Sequence, residues 1–222
     1  MPRPPGLPKL PRMNPPRGNL FIVSAPSGGG KTSLTRAVLA RLSERGQEAA
    51  ISVSYTTRAP RPGEEDGVHY HFVDEARFLD MIGRAELLEH AHVFGRRYGT
   101  GRDKTEELLA RGVDLMLDID WQGAQQVRKL LPEARSVFIL PPSSEELERR
   151  LRGRGQDDDA TIQKRMAAAK AEMSHYAEYD FLIVNEDFER ALEELTALFL
   201  APRLARGSQA SRHAGLIDAL LV

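Results

Sequence analysis

Lys31 and Thr32 follow a run of small residues, Ser24–Gly30, in an order that suits phosphate binding. The apolar run Leu20–Val23 before it predicts a buried strand, and apolar residues four apart after it predict a helix. Glycines let successive backbone N–H groups face one anion, and the helix N-terminus adds its positive dipole. Lys31 would neutralise nucleotide phosphates, and the Thr32 hydroxyl would bind Mg²⁺. The pattern predicts a phosphate-binding loop rather than an ordinary glycine-rich turn, although Ala25 occupies the first position, where glycine is usual.

Two acidic residues, Asp118 and Asp120, lie at the end of the apolar run Val113–Ile119. An acid at the end of a buried strand suits the role of holding Mg²⁺ opposite a phosphate-binding loop. A surface aspartate that ends a strand is the plainer interpretation. Two acids two residues apart, in a chain with such a loop, favour the metal-holding role.

Arg58 and Arg61 lie three apart in a loop stiffened by proline and glycine, and Tyr70 and Tyr98 are near it in sequence. Guanidinium forks suit a phosphate monoester, and a tyrosine hydroxyl adds a neutral donor. Each residue alone is more simply read as a solvated charge or a half-buried ring. Together they predict a second phosphate site.

Four arginines bracket a glycine-broken segment: Arg150, Arg152, Arg154 and Arg165. Arginines on a glycine-hinged flap suit stabilisation of charge while a phosphoryl group is transferred. The alternative is a solvated helix face.

The histidine pairs His69/His71 and His90/His92 could lie on adjacent strands. Zinc binding is conceivable, but no further ligands complete a site. We do not expect a zinc centre here.

Length and composition narrow the class of protein. The 222 residues suggest one domain with inserted subdomains, and 31 basic against 32 acidic side chains give no case for nucleic acid or a membrane surface as partner. The absence of cysteine excludes disulfides, thiolate catalysis and cysteine-type zinc sites. With no apolar run of about 18 residues and no signal-peptide core, we expect a cytoplasmic protein.

Five apolar runs read as parallel strands, and helices alternate with them. This rhythm predicts a three-layer α/β core with a parallel five-stranded sheet, whose ligands lie at the carboxyl ends of the strands. The runs are Leu20–Val23, Ile51–Tyr55, Val113–Ile119, Val137–Leu140 and Phe181–Val184.

The section between the second and third runs is polar, aromatic and rich in turns, so it predicts a small α+β insertion with mixed strands. Within it, 69–73 and 87–94 predict strands, and Asp74 predicts a helix cap. Gly95, Gly99 and Gly101 predict a turn region around Tyr98 and Thr100.

The motifs together resemble the guanylate kinase family over about residues 19–200. They are Ser24–Thr32, Thr56–Glu64, Tyr98–Thr100, Asp118–Ala124 and Arg152–Gly155. The resemblance implies a P-loop NTPase core with a GMP-binding insertion and an arginine-bearing helical lid. It also implies transfer of the γ-phosphoryl group of ATP to GMP, giving ADP and GDP, with Mg²⁺.

The resemblance implies a role for each matched residue. The ATP site would comprise Ala25, Pro26, Ser27, Gly28, Gly29, Gly30, Lys31, Thr32 and Arg150, with Asn185 beside the adenine. The GMP phosphate would be held by Arg58, Arg61, Tyr70 and Tyr98, and guanine would be read by Ser54, Glu89 and Thr100 with Asp120 close by. The catalytic group would comprise Lys31, Arg58, Asp118, Arg154 and Arg165, with Mg²⁺ on Thr32 and, through water, on Asp118.

The implied division of the chain has five parts. They are a disordered proline-rich segment at 1–18, a core of 19–51, 104–142 and 168–205, a GMP-binding subdomain at 52–103, a lid at 143–167 and a C-terminal tail helix at 206–222. The apolar end of that tail predicts a docking or dimer-forming helix, so a homo-oligomer is one expected state.

Two alternatives belong to other classes. Guanylate-kinase-like modules of scaffold proteins bind phosphopeptides and do not catalyse, but their phosphate-binding loops are degraded, whereas Lys31, Thr32 and Asp118 are present here. A kinase for another nucleotide or for a ribose bisphosphate is the second alternative. The pair Ser54 and Glu89, which would read guanine, argues against it.

Overall fold

The computed structural model describes residues 17–93, 95–153 and 158–221. Within these ranges the chain forms a five-stranded sheet, a four-stranded sheet and the helices that cover them. The strands are β1 Leu20–Ser24, β2 Ala49–Ile51, β3 Tyr55–Thr56, β4 His71–Phe72, β5 Leu87–Val93, β6 Arg96–Gly101, β7 Asp114–Asp118, β8 Arg135–Leu140 and β9 Phe181–Val184. The α-helices are α1 Lys31–Glu44, α2 Glu75–Gly83, α3 Arg102–Ala110, α4 Trp121–Leu130, α5 Ser144–Arg152, α6 Asp159–Met173, α7 Phe188–Leu200, α8 Arg206–Arg212 and α9 Ala214–Leu221.

The five-stranded sheet has the order β2-β7-β1-β8-β9, and every neighbouring pair is parallel. Side chains alternate along β1 because successive residues of a strand point to opposite faces. Phe21 and Val23 pack with α1 and α7 on one face, while Leu20 and Ile22 pack with α3 and α4 on the other. The predicted three-layer α/β core with a parallel five-stranded sheet is therefore confirmed.

The carboxyl ends of the central strands meet beside the phosphate-binding loop. Val23 at the end of β1 is in register with Asp118 at the end of β7, and Ser24 is in register with Phe138 on β8. Parallel strands of this kind leave a crevice beyond their carboxyl ends, which is where ligands bind in open α/β sheets.

The second sheet has the order β4-β3-β6-β5, with β3 and β4 parallel and the other pairs antiparallel. Helix α2 covers it, and Phe78 and Met81 on that helix pack with Leu87 on β5. Asp74 caps α2 by accepting the Arg77 N–H at 2.7 Å. The predicted insertion with mixed strands is present in this form.

Two predicted segments are wrong in detail. The run Ile51–Tyr55 is not one strand, because β2 ends at Ile51 and Tyr55 already belongs to the second sheet. The turn predicted around Tyr98 is present at Gly95, but Gly99 and Gly101 lie in a strand, because 96–101 forms β6. Gly99 serves the close approach of two strands, since a Cβ there would lie 2.9 Å from the Glu89 carbonyl oxygen.

Helix α6 spans Asp159–Met173, and Asp158 caps it by accepting the Thr161 N–H at 2.8 Å. The tail at 206–221 consists of α8 and α9 rather than one helix, with His213 between them. In the part of the chain that the structure describes, no helix is long and apolar enough to cross a membrane.

Candidate active site

The phosphate-binding loop has the curled backbone that its glycines predict. Gly28 and Gly30 both have φ of 91°, a left-handed conformation that favours glycine. Helix α1 starts directly after Gly30, so the N–H groups of its first turn point into the concavity formed by residues 26–33. The loop also packs closely on α5, because a Cβ on Gly28 would lie 2.9 Å from Leu147 Cδ1. This concavity can accept an anion such as a nucleotide phosphate.

Lys31 forms an ion pair with Asp118 in the crevice beyond the carboxyl ends of β1 and β7. Burial opposes the charge of Lys31, but the Asp118 carboxylate outweighs it, so the pKa of Lys31 is raised above its ordinary value. The ammonium group is therefore fully charged at neutral pH. The ion pair therefore brings the Lys31 ammonium of the loop into contact with the Asp118 carboxylate at the end of β7.

Asn185 follows the edge strand β9 and holds the loop from that edge of the sheet. Its buried side chain donates from Nδ2 to the Gly29 carbonyl oxygen at 3.0 Å, and a Cβ on Gly30 would lie 2.2 Å from that Nδ2. The Asn185 carbonyl oxygen accepts from the Arg150 guanidinium at 3.0 Å. Arg150 also bonds Glu146 at 2.7 Å, so its contacts join α5 to the end of β9.

Glu172 on α6 is a contact of the loop that the sequence did not reveal. Its carboxylate accepts the Ser27 N–H at 3.3 Å, and burial raises the pKa of Glu172. Arg165 lies on the same helix, two turns earlier. Helix α6 therefore contacts the phosphate-binding loop near its C-terminal end and carries Arg165 near its middle.

One cavity of about 190 Å³, here called the inner cavity, joins the loop to the second sheet. It brings together seven of the predicted residues: Lys31, Ser54, Tyr70, Glu89, Tyr98, Asp118 and Asp120. They belong to the two sheets or to segments next to them. A ligand bound against one sheet and a ligand bound against the other can therefore come together in the inner cavity.

Glu89 is the buried acid of the inner cavity, with 3% of its surface exposed. Burial raises its pKa to about 7, the hydrogen bond from Thr100 opposes that shift, and the nearby Asp120 adds to it. Thr100 Oγ1 donates to Glu89 Oε1 at 2.7 Å, and Thr100 is fully buried. Asp120 accepts the Gly123 N–H at 2.9 Å and thereby caps α4, besides lining the inner cavity.

Gly123 makes room for that carboxylate. A Cβ at Gly123 would lie 2.5 Å from Glu89 Oε2 and 3.1 Å from Glu89 Cδ. The sequence contains Gly123 within the motif around Asp118, but nothing in the local pattern indicates that it faces an acid on a strand of the other sheet.

Substitution of alanine for Gly123 is expected to displace the Glu89 carboxylate while the fold persists, because the clash is with the far end of a side chain. If Glu89 reads guanine, as the family resemblance implies, kcat/KM for GMP should fall about tenfold or more while KM for ATP stays unchanged. Gly83→Ala is a matched control, because a Cβ there meets nothing within 4 Å. Unchanged GMP kinetics in Gly123→Ala would contradict this role of the glycine.

A larger space of about 620 Å³, here called the cationic cleft, opens beside the inner cavity. Tyr98 lines both. Five cations line the cleft, namely the predicted Arg58, Arg61 and Arg165 together with Arg96 and Lys164, which the sequence argument did not single out. Such a lining suits a ligand with several negative charges.

Tyr70 lines the inner cavity and lies close to Arg58 and Tyr98, which both line the cationic cleft. The Arg58 guanidinium carbon lies 5.3 Å from the centre of its ring, and the Tyr98 ring centre lies 6.0 Å from it. Burial raises the pKa of Tyr70, and the Asp118 and Tyr98 oxygens add to the shift. Its hydroxyl therefore stays protonated and can donate.

The remaining predicted residues are placed as follows. Arg154 lies outside the described residues. Arg152 is exposed and pairs with Glu148 on α5 and Asp159 on α6. Among the described residues, no group of three histidine, aspartate or glutamate side chains is arranged to hold a metal ion, and His71 instead lies 4.6 Å, centre to centre, from the Tyr55 ring.

Comparisons with known proteins agree with this geometry. The sequence model of the guanylate kinase family matches residues 17–201. A guanylate kinase of Salmonella choleraesuis is 60% identical over 92% of this chain and 98% of its own length. That of Escherichia coli K12 is 58% identical over the same shares. A crystal structure of guanylate kinase from Anaplasma phagocytophilum superposes with a TM-score of 0.69 at 35% identity, over 87% of this chain and 90% of that one. The chain therefore belongs to the guanylate kinase family.

Proposed function

We propose that this chain carries out the guanylate kinase reaction, in which the γ-phosphoryl group of ATP passes to GMP and gives ADP and GDP. ATP binds on the phosphate-binding loop, and GMP binds against the second sheet. The observation that carries the proposal is the inner cavity, which has the loop's Lys31 and the buried Glu89 on its wall. A phosphate-binding cation and a base-reading acid on one cavity fit a reaction that joins two nucleotides.

The loop holds the triphosphate. Its N–H groups and the N-terminus of α1 bind the β-phosphate, and Lys31 exchanges part of its contact with Asp118 for contact with the phosphates. Asn185 and Glu172 keep the loop in shape from two sides. Arg165, together with Arg150 and Arg154, adds positive charge near the transferring group.

The cationic cleft holds the GMP phosphate. Arg58 and Arg61 supply the guanidinium donors, and the hydroxyls of Tyr70 and Tyr98 supply neutral donors. The phosphate then lies between the second sheet and the loop, where its oxygen can attack the γ-phosphorus in line.

Guanine is read by Glu89. Guanine presents its N1–H and N2 amine side by side, and a carboxylate offers two matched acceptors. Thr100 holds the carboxylate at 2.7 Å, and Ser54 lines the same cavity and can bond O6. Adenine presents an acceptor at that edge and lacks the amine, so it would leave the buried acid unpaired.

Thr32 and Asp118 provide hydroxyl and carboxylate oxygens at the loop, which are ligands that Mg²⁺ accepts. Thr32 is exposed in the first turn of α1, and Asp118 lies at the end of β7. When bound with ATP, Mg²⁺ neutralises phosphate charge. Thr32 would hold the ion directly and Asp118 through water.

The proposed division of labour assigns the core to 19–51, 104–142 and 168–205, GMP binding to 52–103 and the lid to 143–167. We also propose that the protein is cytoplasmic and that it forms homo-oligomers through its apolar C-terminal tail. Leu216, Leu220 and Leu221 on α9 are exposed, which fits a role in contact with another copy.

A coupled assay of ADP formation tests the function. Purified protein is given ATP and Mg²⁺ with GMP, AMP, CMP, UMP or ribose 1,5-bisphosphate as acceptor. We expect turnover with GMP to exceed turnover with each other acceptor by about 10⁴-fold in kcat/KM, because a site built to bond a group rejects analogues that lack it. Equal turnover with another acceptor, or binding without ADP formation, would refute the proposal.

A further inference from the structure

Glu64 ends the loop 58–64, which carries Arg58 and Arg61, and it accepts a hydrogen bond from each of these arginines. Its Oε1 accepts from the Arg58 guanidinium at 2.8 Å, and its Oε2 accepts the backbone N–H of Arg61 at 2.7 Å. The side chains of Arg58 and Glu64 are 14% and 16% exposed, so the pair is largely withdrawn from solvent. The Glu64 carboxylate therefore bridges the two ends of the loop 58–64 and holds one edge of the planar Arg58 guanidinium.

The Arg58 guanidinium is held on further sides. One terminal nitrogen donates to the Ala59 carbonyl oxygen at 2.8 Å, and the carbon of the group lies over the rings of Tyr70 and Phe72 at 5.3 and 5.9 Å. A guanidinium has five N–H donors in a fixed plane. The two bonds use one hydrogen on each terminal nitrogen, and the Tyr98 side chain is a further hydrogen-bond partner of the group. The remaining N–H donors can bind a ligand.

We propose that Glu64 is a positioning residue that presents Arg58 to the phosphate monoester of the acceptor nucleotide, an inference that rests on the proposed function. A long arginine side chain loses much rotamer freedom when it binds, and a side chain already held in place loses less. Glu64 already restricts the rotamers of Arg58 in the free protein and holds the guanidinium in one orientation. Less side-chain entropy is therefore lost when the phosphate binds.

The charge of Glu64 does not cancel the attraction of the site for phosphate. Arg61, Arg96 and Lys164 line the same cleft and leave it cationic. The Arg58 contact lowers the pKa of Glu64, so the carboxylate stays ionised and the bond persists at neutral pH.

The neighbouring Glu65 offers a matched control. It is exposed, and its backbone N–H, rather than its carboxylate, makes the local contact with His69 Nδ1 at 3.1 Å. Glu65→Ala removes the same charge from the same loop but leaves Arg58 held.

The test measures the affinity of Glu64→Ala, Glu64→Gln and Glu65→Ala for GMP, guanosine and ATP by calorimetry. Glu64→Ala should bind GMP about tenfold more weakly, because a charged hydrogen bond orients the arginine. Its affinity for guanosine and ATP should not change, since neither uses Arg58. Glu64→Gln keeps one acceptor for Arg58 and should lose less. Glu65→Ala should match the wild type.

The outcomes separate the inference from the proposed function. If the wild type forms ADP with GMP and Glu64→Ala binds GMP within twofold of it, the positioning role is wrong. An equal loss for guanosine and GMP would mean that Glu64 only supports the fold and would also overturn the role. If Glu64→Ala does not fold, Glu64→Gln decides by the same comparison of GMP with guanosine. A wild type that neither binds nor phosphorylates GMP would instead refute the proposed function.

Discussion

Replacement of Lys31 by methionine is expected to lower kcat by about 10²-fold or more while the protein stays folded. In the proposed reaction Lys31 carries the charge that faces the β- and γ-phosphates, in a crevice where charge is screened less than in water. Methionine keeps the length and apolar stem of the side chain. Asp118 loses its partner but has 30% of its side chain exposed, so water can solvate it without unfolding the protein.

The measurement is steady-state ADP formation with saturating GMP, accompanied by thermal unfolding. Lys104→Met is the matched control, because Lys104 is 65% exposed on α3 and pairs only with Glu107 on its own helix among the described contacts. We expect the control to retain wild-type turnover. Near-normal turnover in Lys31→Met would refute the assignment of the loop to ATP.

Replacement of Glu89 by glutamine is expected to lower kcat/KM for GMP by about 10²-fold and to leave KM for ATP almost unchanged. Glutamine keeps the shape but turns one acceptor into a donor that faces the donors of guanine. A mismatched buried group costs about 1–3 kcal/mol, and more when it is charged. KM for ATP should be spared because the proposed ATP site lies on the phosphate-binding loop.

The pH dependence of kcat/KM for GMP is a second measurement that distinguishes Glu89→Gln from the wild type. The pKa of Glu89 is raised to about 7, and only the carboxylate accepts both guanine donors. Acceptor binding should therefore strengthen as pH rises through about 7, with kcat/KM for GMP increasing about tenfold from pH 6 to pH 8. GMP titrates in the same range, so the Glu89 contribution is the difference between wild type and Glu89→Gln.

Glu193→Gln on α7 serves as control, because that glutamate is exposed and far along the chain from the second sheet. Intact GMP kinetics in Glu89→Gln would contradict the guanine-reading role. So would a loss for ATP equal to that for GMP, or a pH profile identical to that of the wild type.

Much of the core was predictable because its signals are local. The strand, the glycines and the first turn of α1 follow one another within residues 20–34, and each has a period or a composition of its own. Asp118 was predictable for a topological reason, since the carboxyl ends of parallel strands lie at one edge of the sheet.

The rest depends on contacts between distant parts of the chain. Gly99 is typical of a turn in sequence, yet it lies within β6, where glycine is needed because neighbouring backbone and side chains leave no room for a Cβ. Asn185 reaches the Gly29 carbonyl oxygen across 156 positions, and Glu172 reaches Ser27 across 145. No local period encodes such pairings, so they could only be found in the folded protein.

The most direct test of the account follows the phosphoryl group itself. The protein is incubated with ATP labelled in its γ-phosphoryl group, Mg²⁺ and GMP, and the products are separated by chromatography. The account predicts that label appears as the β-phosphoryl group of GDP, in proportion to ADP formed and only when GMP is present. Label released as inorganic phosphate, retained on the protein, or transferred equally to AMP in a parallel incubation with AMP in place of GMP would contradict it.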